Sequence, residues 1–179
     1  MSTTIAAIGT ALSNSGISII RISGKDSLNI VNKIFTSSSK LEPNHIIYGK
    51  IVYKGEILDN VLVSYFKAPH SYTGEDICEI NCHGGTQITK DILEVVLESG
   101  ATLAEPGEFS KRAFLNGKMD LSQAEAVINL INAKTRTESR IAAKNMEGDL
   151  SKKIRELREE LVELMAHIEV SVDYPEYDY

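Results

Sequence analysis

The apolar positions of this chain change rhythm along its length. "TTIAAIG" and "GISIIRIS" are short β-branched runs and predict two strands joined by the loop "TALSNSG". In "SGKDSLNIVNKIF" the spacing of Leu28, Val31, Ile34 and Phe35 is helical. "HIIYGKIVYKGEILDNVLVSYF" reads as a hairpin turning at Lys54-Gly55-Glu56, and "EDICEINCH" as a further strand. "TQITKDILEVVLESG" is an amphipathic helix closed by Gly100. "EPGEFSKRAFLNGK" opens on Pro and Gly and predicts a short helix around Phe109 to Leu115. Strands and helices mixed without strict βαβ alternation predict an α+β fold.

Near Lys118 the texture changes. All 4 Phe and the β-branched runs lie before it, and a long Ala/Glu/Leu/Lys stretch with no Pro until Pro175 follows. This divides the chain into 1–118 and a helical part, 119–179. "SQAE" at Ser122 to Glu125 predicts a capping box opening a helix over 122–147, which Gly148 breaks. Beyond it Leu150, Ile154, Leu157, Leu161, Leu164 and Ile168 step by four and three. This short heptad seam suits a bundle helix and needs a partner, either the 122–147 helix or helices outside this chain. The acidic, aromatic "DYPEYDY" ends the sequence.

Charge follows the same division. Residues 1–118 carry 11 basic and 12 acidic side chains, and 119–179 carry 8 and 13, within a net charge of −6. That balance argues against a protein coated in nucleic acid but leaves room for a local basic patch. Arg136, Arg140 and Lys144, four residues apart, form such a stripe. It reads either as a solvated face, with Glu138 and Glu147 nearby in sequence, or as an RNA contact. No apolar run reaches the roughly 20 residues of a membrane span, and the start lacks the basic region of a secretory signal. Two cysteines give no disulfide framework, which suits a cytoplasmic location.

The stretch "HSYTGEDICEINCHGG" holds both cysteines and two of the four histidines. In a strand Cys78, Ile80 and Cys82 face one way, and Ile77, Glu79, Asn81 and His83 the other. Four strand residues span about 13 Å, whereas zinc thiolates each sit about 2.3 Å from the metal. The two cysteines therefore read as small core hydrophobes, and no metal site is expected. The polar row of Glu79, Asn81 and His83 is either a solvated outer face or a pocket wall. Arg21, set among isoleucines, is either paired with a carboxylate or free to grip an anion bidentately. Lys111, Arg112 and Lys118 make either the solvated face of a short helix or an anion-binding corner.

"GISIIRISG", "HSYTGEDICEINCHGG", "EPGEFSKRAFLNGKMDLSQAEAV" and the closing "DYPE" together resemble the N-terminal region of the tRNA-modifying GTPase family MnmE, also called TrmE, over essentially the whole chain. The resemblance implies an α+β domain similar to the tetrahydrofolate-binding domain of aminomethyltransferases, which forms a homodimer and binds a 5-formyl- or 5,10-methylene-tetrahydrofolate. It implies a helical domain interrupted by a Ras-like GTPase domain using GTP, Mg2+ and K+. It also implies a flavoprotein partner, MnmG (GidA), in a heterotetramer that installs a carboxymethylaminomethyl-type group at C5 of the tRNA wobble uridine. The family's folate contacts fall on Arg21, Glu79 and Lys118; catalytic residues are not assigned. Two departures stand out. The family's Pro/Gly-rich loop is here "TALSNSG", Thr10 to Gly16, and no G-x-x-x-x-G-K-[ST] phosphate loop occurs, so this chain alone is not expected to hydrolyse GTP. Two other functions fit the residues: a stand-alone folate-dependent one-carbon transferase, or a purely structural dimeriser.

Overall fold

Alternation of apolar and polar side chains builds the first part of the chain into one twisted sheet, with helices against one face. The computed structural model describes residues 3–173. It divides into two compact units, Met1–Lys118 and Met119–Tyr179.

In the first unit, strands β1 (Ile5–Ile8), β2 (Ser15–Ser23), β3 (Phe35–Thr36), β4 (Ile46–Tyr53), β5 (Glu56–Phe66), β6 (Ile77–Gly84) and β7 (Thr102–Leu103) form a seven-stranded sheet. Its order is β3-β4-β5-β6-β2-β1-β7. All pairings are antiparallel except the parallel β1–β7. The β4–β5 hairpin turns on Lys54 and Gly55, both at positive φ (50° and 86°), the signature of a two-residue primed turn that follows strand twist.

Helices α1 (Ser27–Ile34) and α2 (Thr86–Glu98) cover the inner face. Ile30, Val31 and Ile34 of α1 and Ile92, Val95 and Val96 of α2 meet Ile20, Ile22, Val61, Val63, Tyr65, Cys78, Ile80 and Cys82 in one buried cluster. The period of two on the strands and the three-to-four spacing on the helices thus converge on the same layer. Burial pushes the Cys78 thiol up to about 12 and raises that of Cys82, so both stay protonated and pack as small apolar groups.

Helix α3 (Glu108–Leu115) is joined by hydrogen bonds and an ion pair to the loop between β5 and β6. One end of the outer sheet face is covered in this way: Ser23 and Ile77, opposed across β2 and β6, are both buried outside the inner cluster.

The second unit is helical: α4 (Leu121–Asn132), α5 (Arg136–Met146) and α6 (Asp149–Asp173). Two features differ from the sequence expectation. The capping box sits at Asp120 and Gln123, two residues before "SQAE": the Asp120 carboxylate accepts from the Gln123 N–H at 2.9 Å, and Gln123 Oε1 accepts from the Asp120 N–H. The helix expected over 122–147 is two helices, because Thr135 and Glu138 form a second capping box that starts α5. The seam of α6 is exposed from Leu150 to Ile168, and Ser151 is its one buried residue. Of "DYPEYDY" only Asp173 lies within the described residues. No helix among them is long and apolar enough to cross a membrane.

Candidate functional site

Strand pairing alone brings the two central charges together. Arg21 on β2 lies directly opposite Glu79 on β6, and alternation points both to the outer face while their neighbours Ile20, Ile22, Cys78 and Ile80 point into the core. The guanidinium donates twice to one carboxylate oxygen: Arg21 Nε and Nη2 each lie 2.8 Å from Glu79 Oε1. The side chains are 33% and 19% exposed. The pair is therefore neither sealed in the core nor freely solvated.

Two aromatic rings border Arg21. Its Cζ lies 5.3 Å from the centre of the Tyr72 ring and 5.7 Å from that of Phe109, within cation–π range. The rings come from different segments, the β5–β6 loop and α3, which are tied by a Tyr72 Oη···Ser110 Oγ hydrogen bond of 2.9 Å.

A second, more buried charge cluster fixes that loop. Arg112 Nη1 donates to both oxygens of Glu75 at 3.2 and 3.1 Å, and Nη2 donates to Glu108 Oε1 at 2.8 Å. Ser23 donates to Glu75 Oε2 at 2.8 Å and meets Thr73 Oγ1 at 2.7 Å. Asn116 Nδ2 donates to the Thr73 carbonyl. Burial works against the charged form of Arg112, yet the hydrogen bonds and charges of Glu108 and Glu75 outweigh it and raise its pKa. Burial likewise pushes Glu108 up, but the Glu105 N–H and Arg112 win and leave it below its ordinary value. The anion-binding corner read from Lys111, Arg112 and Lys118 thus changes meaning at Arg112, whose anions are the protein's own carboxylates.

Lys118 reaches the same loop from the end of the unit. Its Nζ donates to the Pro69 carbonyl at 3.0 Å, and its stem packs over Gly74. Arg21 and Glu79 form one pair, and Lys118 joins them only through the loop that carries Tyr72.

Further along the strands the outer face opens into a cavity of about 480 Å³ lined by Ile17, Tyr48, Asn60, Leu62, Asn81 and His83 among others. Asp59 orients His83 at its rim: Asp59 Oδ1 accepts from the ring Nδ1 at 2.6 Å, and Oδ2 from the His83 N–H at 2.8 Å. The strands meet closely here. A side chain on Gly84 would fall 2.5 Å from the Ser15 carbonyl oxygen, where β2 bulges.

The sequence did not single out Tyr72, Phe109, Glu75 or Asp59. Tyr72 and Glu75 stand inside the quoted "HSYTGED", but their roles depend on α3 folding over the sheet, which no local pattern encodes.

Two family models match the chain: "GTP-binding protein TrmE N-terminus" over residues 4–118 and "MnmE helical domain" over 121–179. Among similar proteins is the tRNA modification GTPase MnmE of Clostridioides difficile, 54% identical over 98% of this chain and 39% of the relative. That of Acetivibrio thermocellus is 55% identical over the same shares, and that of Carboxydothermus hydrogenoformans 50% identical over 100% and 40%. The chain spans about two fifths of the length of the curated relatives it matches. With both of its units matched in order, the chain belongs to the MnmE (TrmE) family.

Proposed function

We propose that this chain is the folate-binding and dimerising part of a tRNA-modifying GTPase. The observation that carries the reading is the Arg21–Glu79 pair, held half-open on the outer sheet face between Tyr72 and Phe109. A reduced pterin offers an amine and a ring N–H side by side, and a fixed carboxylate such as Glu79 accepts from such an edge. Arg21 and Lys118 supply cations for the ligand's carbonyl and carboxylate oxygens. The donor set therefore fits a 5-formyl- or 5,10-methylene-tetrahydrofolate, which would bring the one-carbon unit. Leu62 on β5, beside β6, and Ile46 and Tyr48 on β4, beside β5, are exposed in register with the Glu79 and Asn81 rows of the outer face, and support pairing of this face with a second copy.

In the whole protein, 1–118 would serve as the folate-binding and dimerisation domain and 119–179 as the first helices of the helical domain. A GTPase domain would bind GTP, Mg2+ and K+, and MnmG (GidA) and tRNA would be the cytoplasmic partners, with the wobble uridine as target.

Isothermal titration with 5-formyltetrahydrofolate tests the reading. Glu79→Gln is expected to weaken binding by roughly 1–3 kcal/mol, because one acceptor oxygen becomes a donor facing a donor. An unaltered affinity would remove Glu79 from the site, and no heat at near-millimolar ligand would remove the folate.

A further inference from the structure

Helix α5 carries the row Arg136, Arg140, Lys144 within the more acidic of the two units. Two of these cations line one small cavity of about 140 Å³ together with Thr137 and Ile141. Thr137, Arg140 and Lys144 are spaced by three and four residues, so their side chains share one helical face. Among the described residues neither Arg140 nor Lys144 forms a salt bridge, although the unit is rich in acids. Glu138, the nearest acid on α5, turns its carboxylate back to the helix start, where Oε2 accepts from the Lys134 N–H at 2.8 Å and the Thr135 N–H at 3.2 Å. The helix thus presents a guanidinium, an ammonium and a hydroxyl around one concavity, with its own carboxylate engaged elsewhere.

We propose that this cavity on α5 is a phosphate-binding point for an RNA backbone, with Arg140 and Lys144 as the charged contacts and Thr137 as a neutral donor. The identification of the anion as RNA rests on the tRNA reading above. A phosphodiester has two non-bridging oxygens, which suit an Arg fork and a Lys point charge side by side. Arg136, four residues before Arg140, extends the row in steps of about 6 Å along the axis and gives the backbone a direction to follow. The contact carries no base information, so it sets register and affinity rather than sequence choice.

The test is binding of an unmodified tRNA transcript to the full chain across a salt series. Each phosphate contact contributes about 0.7–0.9 to the slope of log K against log salt. The double variant Arg140→Gln with Lys144→Gln is expected to lower the slope by roughly 1–2 and to bind more weakly at low salt. Lys50→Gln with Lys90→Gln removes the same charge from the first unit and is expected to leave the slope in place. Circular dichroism checks that both variants keep their helices. An unchanged slope in the α5 variant overturns the site while leaving the tRNA reading standing. No tRNA binding by the parent chain at low salt overturns both. Binding of inorganic phosphate that is lost in the α5 variant, with tRNA affinity and slope unchanged, assigns the cavity to a free anion and overturns the RNA contact.

Discussion

The two units bury their apolar residues to very different degrees. In the first, isoleucines 20, 22, 51 and 80 are completely enclosed between sheet and helices. In the second, the buried residues are the small Ala126, Ala142 and Ser151, while Leu157, Leu161 and Leu164 on α6 are all more than half exposed. The same kind of side chain therefore does different work in the two places. A closed layer converts apolar area into stability, whereas an open seam leaves its helix without that contribution. The first unit has the contacts to stand alone, and the second has a face ready to be covered.

That contrast is broken most severely at Arg112. Arg112→Met leaves Glu75 and Glu108 without their counter-charge in a poorly solvated place, and is expected to cost roughly 3–5 kcal/mol in urea unfolding of the first unit. Arg21→Met removes a more exposed pair and two cation–π contacts, to Tyr72 and Phe109, and should cost no more than about 1–2 kcal/mol. Equal losses would mean that both arginines serve the scaffold.

The contrast is sharpened by a matched pair of truncations. Ile80→Ala empties a fully enclosed site, and roughly 2–5 kcal/mol is expected. Leu157→Ala, at a position 60% exposed, should stay within about 0.5 kcal/mol. Hydrogen exchange followed separately in each unit reads both, and a large cost at Leu157 would show the seam already covered in solution.

A smaller effect than at the enclosed Arg112 and Ile80 is expected at Asp120. Asp120→Ala removes the α4 cap at a cost of about 1 kcal/mol. Hydrogen bonds from Ser151, Gln123 and Ser122 hold the Asp120 carboxyl below its usual range. A depressed carboxyl stabilises the fold above the unfolded-state value, near 4, and loses that contribution as pH falls through the lower folded value. The alanine variant should therefore show a flatter acid limb than the parent chain, in helical circular dichroism followed down to about pH 2.

The α+β character, the strand faces and the role of the cysteines were legible because each depends on a period of two or on three-to-four spacing. The pairing of Arg21 with Glu79 was not, since register between β2 and β6 is set by the whole sheet; only the oddity of an arginine among isoleucines marked the position. The start of α5 was available in "TRTE", yet the continuous Ala/Leu/Glu texture masked it. Glu75 and Glu108 escaped notice because neither is unusual in sequence, and only the fold of α3 over the β5–β6 loop brings them to one guanidinium.

At rest, Arg21 and Glu79 cancel each other. A simple anion arriving there gains little, because drawing the guanidinium away leaves a bare carboxylate behind. Only a guest that answers both signs at once can trade places with the internal partner at no electrostatic loss. Under the proposed folate reading, selectivity against small ions and singly charged metabolites lies in this pairing itself, before any shape is compared.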